Sequence, residues 1–352
     1  MKQRLAIASA LALSPDVWLL DEPTALLDPA GTKQVWEALK TNTTGRTVVI
    51  VEHKIAEIVG WIDRVVILSA DAAIVADGKP ADVFERHKDR LIADGIWYPG
   101  VWEDYLEGMK ASAPEEHAAD ADGLISRKVG TPLLQLDGLR GYRGGAVAIE
   151  AERAQVHAGD WVCVVGENGA GKSSLLLSIM KLIRTEGAAL VNGRNRKSTK
   201  QLADEVAFVF QNPEFQFIAG SVEEEVGYSI PGAKLSREAR LAHIGDVLDR
   251  FQLLPYRHRH PYQLSMGQKR RLSVAVSIER GQKLLLLDEP TFGLDARNTF
   301  AMLERLTQLR REGYAIIMIT HDEEIVRHYA SQIWQVASGQ LAQIMDKAVT
   351  RP

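Results

Sequence analysis

The sequence predicts an α/β protein with a mainly parallel sheet and a smaller helical insertion, laid down twice along the chain with the first copy incomplete. Short apolar runs at 161–165, 206–210, 284–287 and 315–319 are each followed by glycine-rich, acidic or polar turns, with helical patterns between them. That is the rhythm of parallel strands buried on both faces. The stretch from about 212 to 283 carries helix-like patterns only and reads as the insertion. The chain also repeats itself. One fixed shift lays Leu5 on Leu272, Asp21-Glu22-Pro23-Thr24 on Asp288-Glu289-Pro290-Thr291, and Asp28 on Asp295. One inserted residue later, His53 falls on His321. Such self-similarity marks a duplicated structural unit.

The expected organisation is a first copy over 1–108, a linker over 109–130 and a complete second copy over 131–352. The linker begins Met109-Lys110-Ala111-Ser112-Ala113-Pro114-Glu115-Glu116, turns Ala/Asp-rich and has no apolar periodicity. The chain's 352 residues suffice for two cores. With 42 basic and 46 acidic side chains, no bulk charge invites a nucleic acid. The single cysteine, Cys163, lies inside Trp161-Val162-Cys163-Val164-Val165 and reads as strand filler of a reducing compartment. No apolar stretch approaches the roughly 20 residues of a membrane-spanning helix. A membrane role is therefore expected only through a partner.

Gly166-Glu167-Asn168-Gly169-Ala170-Gly171-Lys172-Ser173 fits the phosphate-binding pattern GxxxxGK[ST], after a predicted strand and before a predicted helix. Glycines let the backbone amides curl round phosphates, and the helix N-terminus adds partial positive charge. Lys172 is expected to reach the terminal phosphates and Ser173 to offer its hydroxyl to Mg2+. Ser174 completes the expected ATP-binding set. Leu284-Leu285-Leu286-Leu287-Asp288-Glu289 reads as a buried strand ending in two carboxylates that strand alternation points apart. Asp288 is expected to hold the magnesium shell and Glu289 to polarise the attacking water.

Leu264-Ser265-Met266-Gly267-Gln268 resembles the LSGGQ signature of ABC-type ATPases, with Met266 in place of the first glycine. With the phosphate loop, Gln211, Gly293-Leu294-Asp295 and His321, the resemblance covers nearly the whole chain. It implies a P-loop NTPase (RecA-like) fold in tandem, with ATP and Mg2+ as cofactors. It also implies head-to-tail pairing of two ATPase domains, each signature serine capping the γ-phosphate in the facing loop. By the same resemblance Gln211 contacts Mg2+ or the water, His321 binds the γ-phosphate, and Tyr142 stacks on adenine. Asp21, Glu22 and His53 are the first-copy equivalents of Asp288, Glu289 and His321.

Phe208 to Phe217, with the acidic run after Ser221, is similar to the Q-loop of energy-coupling-factor ATPases, which power uptake of vitamins and transition-metal ions. The partners this implies are a membrane scaffold (T-type) protein and a substrate-binding (S-type) membrane protein. A second ATPase chain is a further expected partner. The implied location is the cytoplasmic side of the cell membrane. Phe215 and Phe217 are the expected lining of the docking groove, with core packing as the plain alternative.

The first copy has no phosphate loop, Q-loop or signature serine, and Leu26 stands where the second has Gly293. It lacks what the second copy carries from Thr131 to Gly267. The expectation is a shortened form of a longer protein, its Leu19-Leu20 and Val48 to Val51 bearing bare apolar faces. Two other readings stay open: a non-transport tandem ATPase acting on ribosomes or DNA, and a regulatory subunit that binds ATP without turnover.

Overall fold

The computed structural model describes residues 2–24, 27–53, 55–69, 71–112, 130–230 and 236–346. The chain divides into two compact units, Met1–Ser112 with Gly293–Phe300, and Ala113–Phe292 with Ala301–Pro352. Most of the expected linker lies outside the described residues, as do Met1 and Leu26.

The first unit opens with α1 (Lys2–Leu13), β1 (Val17–Asp21), α2 (Pro29–Asn42) and β2 (Thr47–Val51). Asp28 starts α2: its carboxylate accepts from Gly31 N at 2.8 Å, and Pro29 takes the first helical position, where no amide is needed. β1 and β2 pair in parallel from Val17↔Thr47 to Asp21↔Val51. One face of the pair meets Val35, Trp36 and Leu39 of α2 through Trp18. The other face is bare, with Val17, Leu19, Val49 and Val51 exposed by 57%, 78%, 50% and 58%. A separate antiparallel hairpin, β3 (Val65–Leu68) and β4 (Ile74–Gly78), follows, then α3 (Pro80–Arg86), α4 (Lys88–Asp94) and α5 (Val101–Ser112).

The second unit holds one ten-stranded mixed sheet. Its strands are β5 (Leu134–Arg143), β6 (Ala146–Val156), β7 (Trp161–Val165), β8 (Thr185–Val191), β9 (Arg194–Asn195), β10 (Val206–Val209), β11 (Leu284–Asp288), β12 (Ala315–Ile319), β13 (Gln332–Ala337) and β14 (Gln340–Asp346). The order is β10-β11-β12-β7-β13-β14-β6-β5-β8-β9. The five strands from β10 to β13 are parallel, and β10, β11, β12 and β7 among them are the four apolar stretches of the sequence. The remainder is largely antiparallel, so the sheet is mixed. β5 and β6 bury only part of their side chains, so charged and glycine residues interrupt them and no apolar run announces them.

The helices are α6 (Lys172–Ile179), α7 (Thr199–Leu202), α8 (Val222–Ser229), α9 (Arg237–Arg250), α10 (Met266–Ile278), α11 (Ala296–Arg311) and α12 (Glu323–Tyr329). α8, α9 and α10 form the expected insertion between β10 and β11. α6 drives Leu175, Leu176 and Ile179 into a core shared with Leu284, Leu286, Ile317 and Ile319 of the parallel strands and Leu136, Leu139 and Ile149 of β5 and β6. β7 therefore ends in the middle of the sheet and delivers its loop directly onto that helix. No described helix is long and apolar enough to cross a membrane.

The contrast between faces is measurable. Leu286→Ala, at a fully buried position, is expected to cost about 2–5 kcal/mol. Leu19→Ala, 78% exposed at the matching strand position, is expected to stay within about 0.5 kcal/mol. Chemical denaturation of the full chain reads both.

Candidate functional site

The loop between β7 and α6 is shaped by glycines that no other residue could replace. Gly166 has φ 146°, and a Cβ there would lie 2.1 Å from the Val336 carbonyl oxygen. Gly171 has φ 113°, and its Cβ would meet the Ala148 oxygen at 2.7 Å. Both are crowded against neighbouring strands, so the loop is pressed onto the sheet with its amides turned outward. Gly171 precedes α6 without any side-chain cap, leaving the helix start to a ligand. Lys172 is buried, and its ammonium donates to the carbonyls of Gly166 at 2.6 Å and Glu167 at 2.9 Å. Asn168, Gly169 and Ala170 complete the loop, closed by a bond from Ala170 N to Glu167 O. Ser174 faces inward, its carbonyl accepting from Ser178.

β11 brings its two carboxylates to this loop. Asp288 is buried, with the Ser173 hydroxyl near enough to favour its charged form. Burial raises its pKa to about 6; the negative charge of Glu289 adds to the rise, while Ser173, Arg270 and Lys172 oppose it. Glu289 sits at φ 49°, left-handed backbone that costs a non-glycine residue on the order of 1 kcal/mol or more. That turn breaks strand alternation and swings the side chain between two partners. Gln211 Nε2 donates to its Oε2 at 3.1 Å, and His321 Nε2 lies 3.2 Å from its Oε1. Burial works against the charge of Glu289, but His321, Lys172 and Gln211 outweigh it and hold the carboxyl below its usual range. Two adjacent acids are thus pushed in opposite directions, the mark of different tasks.

The residues fit Mg2+. Asp288 Oδ1 is buried with no hydrogen-bond partner among the described residues, beside a hydroxyl that could share a cation. No group of three or more His, Cys, Asp or Glu side chains suited to a metal occurs among the described residues. The donor set is an acid, a hydroxyl and an amide, to be completed by oxygens of a ligand, as small hard cations prefer.

The other predicted residues make contacts of their own. Tyr142, on β5, donates from its hydroxyl to Glu186 Oε2 at 2.6 Å and carries the Arg184 guanidinium 4.9 Å from its ring centre. Ser265 caps α10: its hydroxyl accepts from Gln268 N at 3.4 Å, while Gln268 Oε1 accepts from Ser265 N at 2.9 Å. Met266 and Gly267 form the first turn. In the first unit Glu22 has φ 43°, and His53 Nε2 stands 3.1 Å from its Oε1, next to Asp21 at the end of β1. The backbone bonds also match, with Glu22 N to Val51 O at 2.9 Å and Glu289 N to Ile319 O at 3.1 Å.

One expectation is corrected. Phe217 is 7% exposed and belongs to the core, whereas Phe215 is 75% exposed beside Ile218 at 65%. A single residue of spacing separates the two faces of this turn (213–216), which aromatic content alone could not sort. The sequence reading also gave no role to Arg270. The signal was available: Lys269, Arg270, Ser273 and Ser277 recur at helical spacing, a polar stripe on a helix that is otherwise apolar toward the sheet.

Fold and site together define a phosphate-loop, nucleoside-triphosphate-binding domain. Residues 151–292 match the family model described as ABC transporter. Over 97% of its length the chain is 32% identical to an ABC transporter ATP-binding protein of Methanosarcina mazei. It is 33% identical over 94% of its length to YkoD of Bacillus subtilis, named for HMP/thiamine import. Among solved structures, cbiO1 of Clostridium perfringens, part of the ABC transporter complex cbiONQ, superposes at TM-score 0.55 with 26% identity. That match covers 62% of this chain and 89% of cbiO1. The chain spans 63% and 62% of the length of the two curated relatives. Residues 151–292 thus carry an ABC transporter ATP-binding domain.

Lys172→Ala removes the charged donor at the loop and is expected to weaken Mg·ATP binding by about 30-fold or more in calorimetry, the size of a lost charge-assisted bond. Asp288→Asn is expected to abolish the gain in nucleotide affinity that Mg2+ confers, while affinity measured in excess chelator stays within about threefold of the unaltered chain.

Proposed function

We propose that the chain is the ATP-hydrolysing motor of an energy-coupling-factor-type importer for a vitamin or a transition-metal ion, with two ATPase domains fused in one polypeptide. The observation that carries the hydrolytic part is Glu289, held on one oxygen by Gln211 and on the other by His321 beside a phosphate loop. In this reading the amides of 166–173 and Lys172 take the charge of the β- and γ-phosphates. Ser173, Asp288 and Gln211 would hold Mg2+, which would supply further neutralisation of the phosphate oxygens. Glu289, kept ionised by its neighbours, accepts the proton of the attacking water. Gln211 and His321 hold the carboxylate aligned and respond to the γ-phosphate. Tyr142 stacks on adenine with the ring face away from Arg184.

The tandem reading draws support from the matched geometry of the two halves. β1 and β2 pair in the same register as β11 and β12, Val17↔Thr47 against Leu284↔Ala315. Both glutamates adopt the left-handed turn and both meet a histidine at about the same distance, 3.1 Å and 3.2 Å. The bare residues Val17, Leu19, Val49 and Val51 correspond to Leu284, Leu286, Ile317 and Ile319, which α6 and its neighbours cover. A phosphate-loop helix of a first domain fits that bare face. Ser265 would then cap the nucleotide held by the first domain's loop, the start of α10 facing the phosphate.

The import reading rests on the names of the relatives, HMP/thiamine import for one and part of a transporter complex for another. The partners are a membrane scaffold (T-type) and a substrate-binding (S-type) membrane protein, and the place is the cytoplasmic face of the membrane. Phe215 and Ile218 are the exposed apolar residues next to Gln211 that a scaffold helix would cover.

Two experiments test this. Glu289→Gln is expected to slow single-turnover hydrolysis at least about 100-fold while leaving the Kd for Mg·ATP within about threefold. Hydrolysis at the unaltered rate would leave ATP binding without turnover as the better reading. Phe215→Ala with Ile218→Ala is expected to reduce recovery of the co-expressed scaffold at least about tenfold, at unchanged ATP affinity. Undiminished recovery would remove this face from the docking surface.

A further inference from the structure

Arg270 lies on α10 and is 1% exposed, one of the largest fully buried side chains among the described residues. Its Nη1 donates to the Phe210 carbonyl at 2.8 Å. Its Nε has no hydrogen-bond partner among the described residues. Burying a guanidinium costs several kcal/mol unless nearby charge offsets it. Here burial draws its pKa down to about 10, against the pull of Glu289 and Asp288. A staple between helix and strand could be built more cheaply from apolar groups.

What the arginine holds is informative. Pairing of β10 with β11 ends at Val209↔Leu287, so Phe210 has left the ladder. Its two backbone groups are satisfied by side chains instead. The carbonyl goes to Arg270, and the amide donates to Gln216 Oε1 at 3.2 Å. Gln216 is itself fixed by α10: its Nε2 donates to Ser277 Oγ at 2.9 Å, and Ser273 donates to its Oε1. Lys269 adds an ion pair to Glu214 at 2.6 Å. The next residue in the chain is Gln211, whose amide holds Glu289.

We infer that Arg270 is a positioning residue for hydrolysis: by fixing the Phe210 carbonyl it sets Gln211 on Glu289 and ties that contact to the helix that begins at Ser265. The inference rests on the reading of Glu289 as the hydrolytic group. It assigns Arg270 no contact with nucleotide. Displacement of α10 along or about its axis would reach Glu289 through Phe210 and Gln211, without any direct bond between the signature and the carboxylate.

The test uses the full chain. Arg270→Met is expected to slow single-turnover hydrolysis about 10- to 100-fold while the Kd for Mg·ATP stays within about threefold. Adding Gln211→Ala is expected to cost less than about threefold more than the slower single variant, because both act on one contact. Multiplicative losses in the double variant, a Kd that weakens in step with the rate, or an unchanged rate would overturn the assignment. Should Arg270→Met fail to fold, Arg270→Lys keeps the charge and stem but not the planar head. It is expected to lose about 3- to 10-fold in rate and to speed amide exchange in the 208–217 peptide; an unaltered rate or exchange would overturn the assignment. If Glu289→Gln hydrolyses ATP normally, the hydrolytic reading fails on its own. The exchange of 208–217 in Arg270→Met or Arg270→Lys then decides: faster exchange keeps Arg270 as the anchor of Gln211, and unchanged exchange removes it.

Discussion

Two carboxylates on consecutive residues at the end of a buried strand are the constraint around which the second unit is organised. Adjacent acids in a poorly solvated place repel each other and resist ionisation. The structure separates them by conformation and by company. Asp288 stays in line with β11 and is left protonatable, with one oxygen unpartnered. Glu289 is turned out by its left-handed backbone between partners from two other parts of the sheet, Gln211 after β10, which donates to it, and His321 after β12, whose Nε2 lies 3.2 Å away. The strand order makes this possible, because β10 and β12 flank β11 directly. A partner arrives from each side, and β7 comes next to place the loop and Lys172. Strained backbone at Glu289 is the cost of facing both partners at once.

Comparison of the halves separates what is local from what is tertiary. In the first unit the left-handed glutamate, its amide bond to the neighbouring strand and its approach to a histidine all form on β1 and β2 alone. That geometry therefore needs only two parallel strands in register and the turn after each. Burial does not come with it. The Glu22 and His53 side chains are 42% and 52% exposed, against 13% and 19% for Glu289 and His321. Screening by water leaves such an exposed pair little electrostatic leverage. Low dielectric and the extra donors Lys172 and Gln211 are added by the loop, the helix α6 and β10, which the bare face of β1 and β2 lacks.

Much of the second unit was legible in its residues. The parallel strands announce themselves because both faces are buried, so Leu284 to Leu287 and Ala315 to Ile319 read as unbroken apolar runs. The phosphate loop is legible because its glycines answer to a steric demand that the structure locates at Val336 and Ala148. β5 and β6 were not, since a half-solvated strand such as Leu134–Arg143 mixes leucines with arginine and glycine. Phe215 and Phe217 could not be sorted, because a turn (213–216) has no period to say which residue faces the core. Arg270 was passed over for a different reason: an arginine in a helix reads as surface, and its stripe with Ser273 and Ser277 gains meaning only from the contact with a carbonyl beyond the end of β10.

The insertion between β10 and β11 then has a mechanical meaning beyond filling space. It begins where Gln211 leaves the sheet and ends where β11 returns to deliver Asp288 and Glu289. Any movement of α8, α9 and α10 relative to the sheet must be absorbed at those two junctions. The second junction is a strand with all five residues buried, paired on both sides and unable to give. The first is a turn held by side chains from α10, with Phe210 outside the ladder. Movement of the insertion is thus passed to the Gln211 side, where the turn tied to α10 carries the amide that donates to Glu289. A shift of the insertion would therefore reach Glu289 through Phe210 and Gln211, while the phosphate loop hangs from β7 and takes no part in either junction.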